Sequence, residues 1–312
     1  MGLTIGVDVG GTKVAAGVVD EGGQILTRVR RSTPAADAAR LVEEILAAIE
    51  ELRGQHEVEA VGMAAAGFVD ASRSVVLFAP NISWRNEPLR QRVERQTGLA
   101  ATVENDANAA AWGEYRFGGG RGDDVVCVTI GTGVGGGVVL DGHLLRGHWG
   151  MAGEIGHVRV EHNGRPCGCG SRGCLEQYAS GQALVREARW RAAEDRPGAG
   201  LLLSLGDGTP EGVQGAHVSE AARAGDPVAL ASFEAVGRWL GVGLADVAAV
   251  LDPAAFVIGG GVSEAGEQLL APTRASFAEA LTAAAHRPLA EIRLAELGND
   301  AGLIGAADLA RR

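Results

Sequence analysis

Between Glu154 and Glu176 the chain gathers Glu154, His157, Cys167, Cys169, Cys174 and Glu176 into one glycine-rich run, Glu-Ile-Gly-His and then Cys-Gly-Cys-Gly-Ser-Arg-Gly-Cys-Leu-Glu. One histidine and three cysteines are a complete ligand set for tetrahedral zinc, and the interleaved glycines let a short loop turn around an ion. Four protein ligands leave no open position, so the expected metal is structural. The flanking carboxylates, Glu154 and Glu176, would then sit on ordered loops and face a polar ligand. A disulfide pair with a spare thiol is the competing reading. The opening Gly2-Leu3-Thr4-Ile5-Gly6-Val7 lacks a basic stretch leading into a long apolar one, so the expectation is a cytoplasmic chain with reduced thiols. Cys127, inside Val125-Val126-Cys127-Val128, reads as a small buried hydrophobe.

Three glycine turns carry a second kind of chemistry. Backbone N–H groups in a turn without side chains can approach phosphoryl oxygens and form an anion-binding nest. Asp8-Val9-Gly10-Gly11-Thr12-Lys13 adds an acid for hydrated magnesium, a hydroxyl and a cation. Lys13 is the only lysine in the chain, which singles out a compact ammonium at that spot. Gly131-Thr132-Gly133 and Gly259-Gly260-Gly261 also follow apolar, strand-like runs. Valine at Gly133 is expected to obstruct phosphate approach while sparing any second ligand. The letters from Gly131 to Gly136 satisfy a dinucleotide fingerprint, yet Gly137-Val138-Val139-Leu140 after them prefers strand to helix, so an oxidoreductase is a poor alternative. No Gly-x-x-x-x-Gly-Lys-Ser/Thr run occurs. The third constellation is Val103-Glu104-Asn105-Asp106-Ala107-Asn108, where a strand runs into an alanine-rich helix. Asn105 or Asp106 could serve as nothing more than an N-cap. The functional reading makes Asp106 a general base at the positive end of that helix, accepting a hydroxyl proton during phosphoryl transfer, with Asn105 orienting a sugar.

These groups need elements to hold them. Residues 11–22 and 131–142 are identical at seven of twelve positions, and each copy reads as strand, tight turn, strand. Two related halves would each contribute one glycine turn, with a cleft between them. Leu41, Ile45, Ile49 and Leu52 stand at helical spacing over 37–52, and Asp226-Pro227 caps and opens a helix reaching about Val250. Strands alternating with such helices mean an α/β fold. Gly118–Gly122 is the candidate hinge, and 195–216 reads as a surface loop. At 312 residues and 46% apolar composition the chain can bury two cores, and its apolar runs are broken too often to suggest a membrane span. A net charge of −11 speaks against nucleic-acid binding.

Taken in order, Asp8–Lys13, Ala65–Asp70, Glu104–Asn108, Gly131–Gly137, Glu154–His157 and Cys167–Glu176 resemble the successive motifs of the ROK (repressor, open reading frame, kinase) family of sugar kinases. Leu77-Phe-Ala-Pro-Asn81 and Asn105–Phe117 bring the resemblance nearest the ATP-dependent bacterial glucokinases. Membership implies a two-domain, actin-like, duplicated ribonuclease-H-like fold and a homodimer or homotetramer. The expected domains are 1–118 plus 299–312, with the last segment a returning helix, and 119–298, which carries the zinc loop. By resemblance, Asp106 is the catalytic base. Gly67, Asn81, Asn105, Glu154, His157 and Glu176 face the sugar, with His157 linking it to the metal. Asp8, Gly10, Gly11, Thr12, Lys13, Gly131, Thr132, Gly133, Gly260 and Gly261 serve the nucleotide. His157, Cys167, Cys169 and Cys174 hold zinc. The family's repressor branch carries a helix-turn-helix ahead of the kinase part, and a first strand opening at residue 3 leaves no room for one. The implied activity is transfer of a phosphoryl group from ATP, with Mg2+, to the C6 hydroxyl of glucose. The alternatives are an N-acylhexosamine kinase, a polyphosphate-using glucokinase and a non-catalytic sugar sensor.

Overall fold

The computed structural model describes residues 2–312. Both repeat copies fold as expected. β1 (Leu3–Val9) turns into β2 (Lys13–Val19), and β3 (Ile25–Ser32) completes an antiparallel meander. α1 (Ala38–Arg53) crosses to β4 (Val58–Ala65), which lies parallel to β1. A small antiparallel sheet, β5 (Phe68–Val69), β6 (Val76–Phe78) and β7 (Arg85–Glu87), interrupts the pattern. Then α2 (Leu89–Thr97) leads to β8 (Ala100–Asn105), parallel to β4, and α3 (Asp106–Phe117) follows directly. The second copy runs β9 (Val125–Ile130), β10 (Val134–Leu140) and β11 (His143–Leu144). Five helices come next: α4 (Glu176–Ala179), α5 (Gly181–Glu194), α6 (Gly200–Leu205), α7 (Gly215–Arg223) and α8 (Pro227–Leu251). β12 (Ala255–Gly259), α9 (Glu267–Ala280), β13 (Glu291–Leu294) and α10 (Ala301–Leu309) end the chain.

The sheet orders, β3-β2-β1-β4-β8 and β11-β10-β9-β12-β13, are the same topology twice, and this is the duplicated actin-like fold. Two compact units result. The first holds the chain through Cys127 together with Gly136–Gly153 and Ala295–Arg312, and the second holds Val128–Gly135 and Glu154–Leu294.

In the first unit the sheet is covered on one side by α1, whose Leu41, Val42, Ile45, Ile49 and Leu52 are fully buried. The spacing of those residues is the apolar stripe of an amphipathic helix, and Asp37 caps it by accepting the Arg40 N–H at 3.1 Å. The other side is covered by α10, a helix with eight buried positions among nine. Glycine makes that approach possible: a Cβ at Gly6 or Gly62 would collide with the carbonyl of Leu303 or Ala306. The Gly118–Gly122 run is anchored through Glu114, which accepts the Gly119 N–H at 2.8 Å.

In the second unit α8 starts as expected at Asp226, whose carboxylate accepts the N–H groups of Val228 and Ala229. Its 25 residues are long and apolar enough to cross a membrane by length and composition alone, contrary to the broken-run expectation. The apolar stretch is 61% buried inside the protein, which identifies a core helix. Gly237 and Gly241 on α8 let α9 approach, since a Cβ at Gly241 would stand 2.5 Å from the Thr273 carbonyl. The 195–216 segment, expected as loop, contains α6 and the start of α7. Leu202 and Leu203 fold inward there, a four-leucine signal that the surrounding glycines, proline and charges obscured.

Candidate active site

At the end of β1 the first glycine turn is tied by two bonds: Gly10 N–H donates to Lys13 O at 3.0 Å, and the Thr33 hydroxyl donates to Gly10 O at 2.8 Å. Thr12 and Lys13 stand exposed beyond it. Asn81 lies against this turn, 3.3 Å from where a Cβ on Gly11 would be. Asp8, one residue before the turn, has a carboxyl raised to about 6 by burial first and by Asp106 next, with Lys13 opposing and Asp300 adding a further push. Sequence reading passed over Asp300, because it sits at an unremarkable helix start and only the packing of α10 on β1 brings it into range.

The β8–α3 junction resolves the capping question. Asn105 is the N-cap: its backbone is extended and its Oδ1 accepts the Asn108 N–H at 3.0 Å. Its Nδ2 donates to Gly67 O and to Asp106 Oδ1, each at 3.1 Å. Gly67 is required by close approach, since a Cβ there would collide with Phe78 O. Asp106 is the first helical residue, with Oδ1 also facing the Ala107 N–H at 3.0 Å. Burial raises its carboxyl above the ordinary value, against those hydrogen bonds. A carboxylate whose proton affinity is increased is better suited to accept a proton.

In the second unit the four expected ligand atoms lie within 4.8 Å of one another. His157 Nδ1 is 3.6 Å from Cys167 Sγ, and Cys169 Sγ is 3.7 Å from Cys174 Sγ. A tetrahedral ion with Zn–S of about 2.3 Å and Zn–N of about 2.0 Å requires edges of roughly 3.8 and 3.6 Å, so the donors fit zinc. Without a cation burial pushes the Cys174 thiol up to about 12 and also raises Cys167, whereas the Ser171 N–H lowers the exposed Cys169. Cys167 and Cys174 are the two thiols whose ionisation a bound cation would favour most. His157 turns its other nitrogen, Nε2, to within 3.9 Å of Glu154 Oε2. The loop is seated on α8 by Leu175, which is fully buried and fills the space over Gly243.

Glu176 connects this loop to the second glycine turn. Its Oε2 accepts the Val134 N–H at 3.2 Å, and its Oε1 lies 3.7 Å from Cys167 Sγ. A Cβ at Gly133 would stand 2.1 Å from Oε2, so a side chain there would push the Glu176 carboxylate aside. Gly131 and Gly261 differ, because a Cβ at either would meet no atom within 4 Å. Gly260 has φ +85° and lies where a Cβ would stand 2.6 Å from Ile130 O, so its conformation is a backbone requirement. Gly131, Thr132 and Gly261 open onto a cavity of about 940 Å³ whose other walls come from α5 and α7: Gln182, Leu184, Val185, Arg186 and Arg189, then Ser219, Glu220 and Arg223. Those helix residues carry no motif, and only the packing of α5 on α7 brings them to the glycine turns.

A duplicated actin-like fold, a buried carboxylate at a helix start and glycine turns beside a cavity define a phosphotransferase of small polar substrates. The ROK family model matches residues 4–312, and the chain belongs to the ROK family. A glucokinase of Streptomyces coelicolor is 56% identical over 312 residues, covering 100% of this chain and 98% of its own length. A ROK family glucokinase from Streptomyces griseus, solved in complex with glucose and AMPPNP, is 57% identical with a TM-score of 0.90 over 99% of both chains. An N-acetylmannosamine kinase of Yersinia pseudotuberculosis is 33% identical over 100% of this chain and 99% of its own.

Proposed function

We propose that the protein is an ATP-dependent kinase that phosphorylates glucose at its C6 hydroxyl, releasing glucose 6-phosphate and ADP. The observation that carries the reading is the Asn105–Asp106 junction. One residue caps α3, which frees the next to take the hydroxyl proton as that oxygen attacks the terminal phosphorus and the bond to ADP breaks. Glucose over an N-acylated sugar is supported by the 56% identity to a glucokinase against 33% to an N-acetylmannosamine kinase.

Asn105, Glu154, His157 and Glu176 are the proposed sugar ligands, with Gly67 and Asn81 in lesser roles. Gly131, Thr132, Gly133, Gly260 and Gly261 would receive the nucleotide, and the adjoining cavity has walls suited to a base and ribose. Asp8, Gly10, Gly11, Thr12 and Lys13 would meet the phosphates. Magnesium, when bound, would neutralise phosphate charge, and Asp8 would hold it through water. Zinc, when bound by His157, Cys167, Cys169 and Cys174, braces the Glu154–Glu176 segment. A homodimer or homotetramer is part of the proposal.

The test is formation of sugar phosphate by the purified protein over glucose, mannose, N-acetylglucosamine and N-acetylmannosamine, with ATP or polyphosphate as donor. Turnover highest with glucose and ATP is expected. Preference for an N-acylated sugar or for polyphosphate would replace the assignment, and no turnover with any sugar would make the protein a sensor.

A further inference from the structure

Glu104 is fully buried beside the junction that carries the base. Its Oε1 accepts two bonds, from the Asn105 N–H at 3.0 Å and from Asn108 Nδ2 at 3.2 Å. Its Oε2 faces two guanidinium groups, with Arg73 Nε at 3.0 Å and Arg146 Nε at 2.8 Å. Neither contact has hydrogen-bond alignment, and both are held by charge. Arg146 is 11% exposed and spends its other nitrogens on carbonyls, NH1 on Ala71 at 2.9 Å and NH2 on Asp70 at 3.0 Å. Arg73 belongs to the same turn and has φ 55°, and its carbonyl accepts the Val103 N–H at 3.0 Å. The turn is itself wound around the Asp70 carboxylate, which accepts the N–H groups of Ser74 and Val75, each at 2.8 Å.

Stability alone is a poor account of this cluster, because burying a carboxylate beneath two cations gains little over apolar packing of the same volume. What such a group does well is fix geometry. Asn105 must present Oδ1 to α3 and Nδ2 to Gly67 and Asp106 at once, which demands one backbone setting at the strand–helix boundary. Glu104 supplies it by holding the Asn105 amide and the Asn108 side chain from a single oxygen. We propose that Glu104, clamped by Arg73 and Arg146, is a positioning residue for phosphoryl transfer that acts through Asn105 and Asp106 and touches no substrate. The proposal rests on the reading of Asp106 as the base. Through Arg146 it also fastens the 146–153 loop, whose Gly150 lies where a Cβ would stand 2.6 Å from Val69 O, to the same carboxylate.

The experiment is a double-mutant cycle of Glu104→Gln with Asp106→Asn. Each protein is checked for zinc content and melting temperature, then measured for ATP affinity, glucose KM and kcat. Glutamine keeps the acceptor for Asn105 and removes the charge that centres the guanidinium groups. Expected is a fall in kcat of about tenfold or more with ATP affinity unchanged, and a further loss of less than about twofold when Asp106 is already asparagine. If the two losses multiply, or if kcat per folded molecule is unchanged, Glu104 is structural and the proposal fails while the base assignment stands. Near-wild-type turnover of Asp106→Asn would instead remove the base assignment and this inference with it. Should Glu104→Gln not fold, Arg146→Lys enters the same cycle. It keeps the charge, loses the fork on Asp70 and Ala71, and is judged by the same two patterns.

Discussion

Asn105 and Asp106 are neighbours with separable duties, since the first caps α3 and the second opens it. Asp106→Asn therefore leaves the cap intact and removes only the proton acceptor. Turnover should fall by at least roughly 10²-fold while the melting temperature barely moves and glucose still binds. Unchanged turnover on a folded protein would take Asp106 out of the mechanism. Among the glycines, the expectation that Gly133→Val spares the sugar side is revised by the position of Glu176. Valine there displaces Glu176 Oε2 and should weaken both ligands, whereas Gly131→Ala adds a methyl where no atom lies within 4 Å and should weaken ATP alone. Separate calorimetric titrations of ATP and glucose against both variants distinguish the two, and equal losses in Gly131→Ala would show that turn to be structural. The carboxyls also set a pH response. Asp8 is raised to about 6 and Asp106 is raised as well, so each binds its proton more tightly folded than unfolded. The contribution of Asp8 to stability is complete below the ordinary carboxyl value and is lost as pH rises through about 6, and that of Asp106 runs in the same direction. Asp70 runs the other way, lowered by bonds from Ser72, Val75 and Ser74 against the upward push of partial burial, and its contribution is lost only below the ordinary value of 3.8. Acidification from neutrality toward pH 5 should thus lower turnover while the melting temperature holds or rises. Loss of both together would mean that acid simply unfolds the protein.

The Glu154–Glu176 segment shows what elements contribute. It contains one short 3-10 turn and ends on the first residue of α4, so little regular structure holds it. Its supports are the ligand cluster, Leu175 over Gly243 of α8, and Glu176 on the Val134 amide. Cys169→Ser removes the most exposed ligand without disturbing packing. Zinc content should drop from about one per chain to near zero, because a structural site needs its full donor set. Glucose affinity should fall more than ATP affinity, and the segment should become open to proteolysis. A wild-type protein that contains no zinc and has oxidised cysteines would overturn the metal assignment.

Across the whole molecule, the first unit is completed by the last residues of the chain. Thr4 donates its hydroxyl to Ala307 O at 3.0 Å across 303 positions, and α10 lies on glycines in β1 and β4. Gly62→Ala would drive a methyl into the Ala306 carbonyl, and the backbone there cannot turn aside as a flexible side chain can. The expected cost is about 3 kcal/mol, the upper range for overpacking a core, read as a lowered denaturation midpoint in an otherwise native protein. A midpoint equal to wild type would mean that α10 has slack this structure does not show.

Local chemistry was legible in the residues themselves. Donor types within a short span define a zinc set, repeated glycines define turns, and the spacing of Leu41, Ile45 and Ile49 defines a helix, because each depends on near neighbours only. The identity of the cap at 105, the wall that α5 and α7 add beside Gly131, the burial of α8 and the place of Asn81 beside Gly11 depend on chain segments far apart in sequence. Glu104 makes the same point most sharply. In the sequence it is a polar residue at a strand end, and only the fold surrounds its carboxylate with Arg73, Arg146 and the two asparagines, since ion pairing acts through space and leaves no periodic mark along the chain.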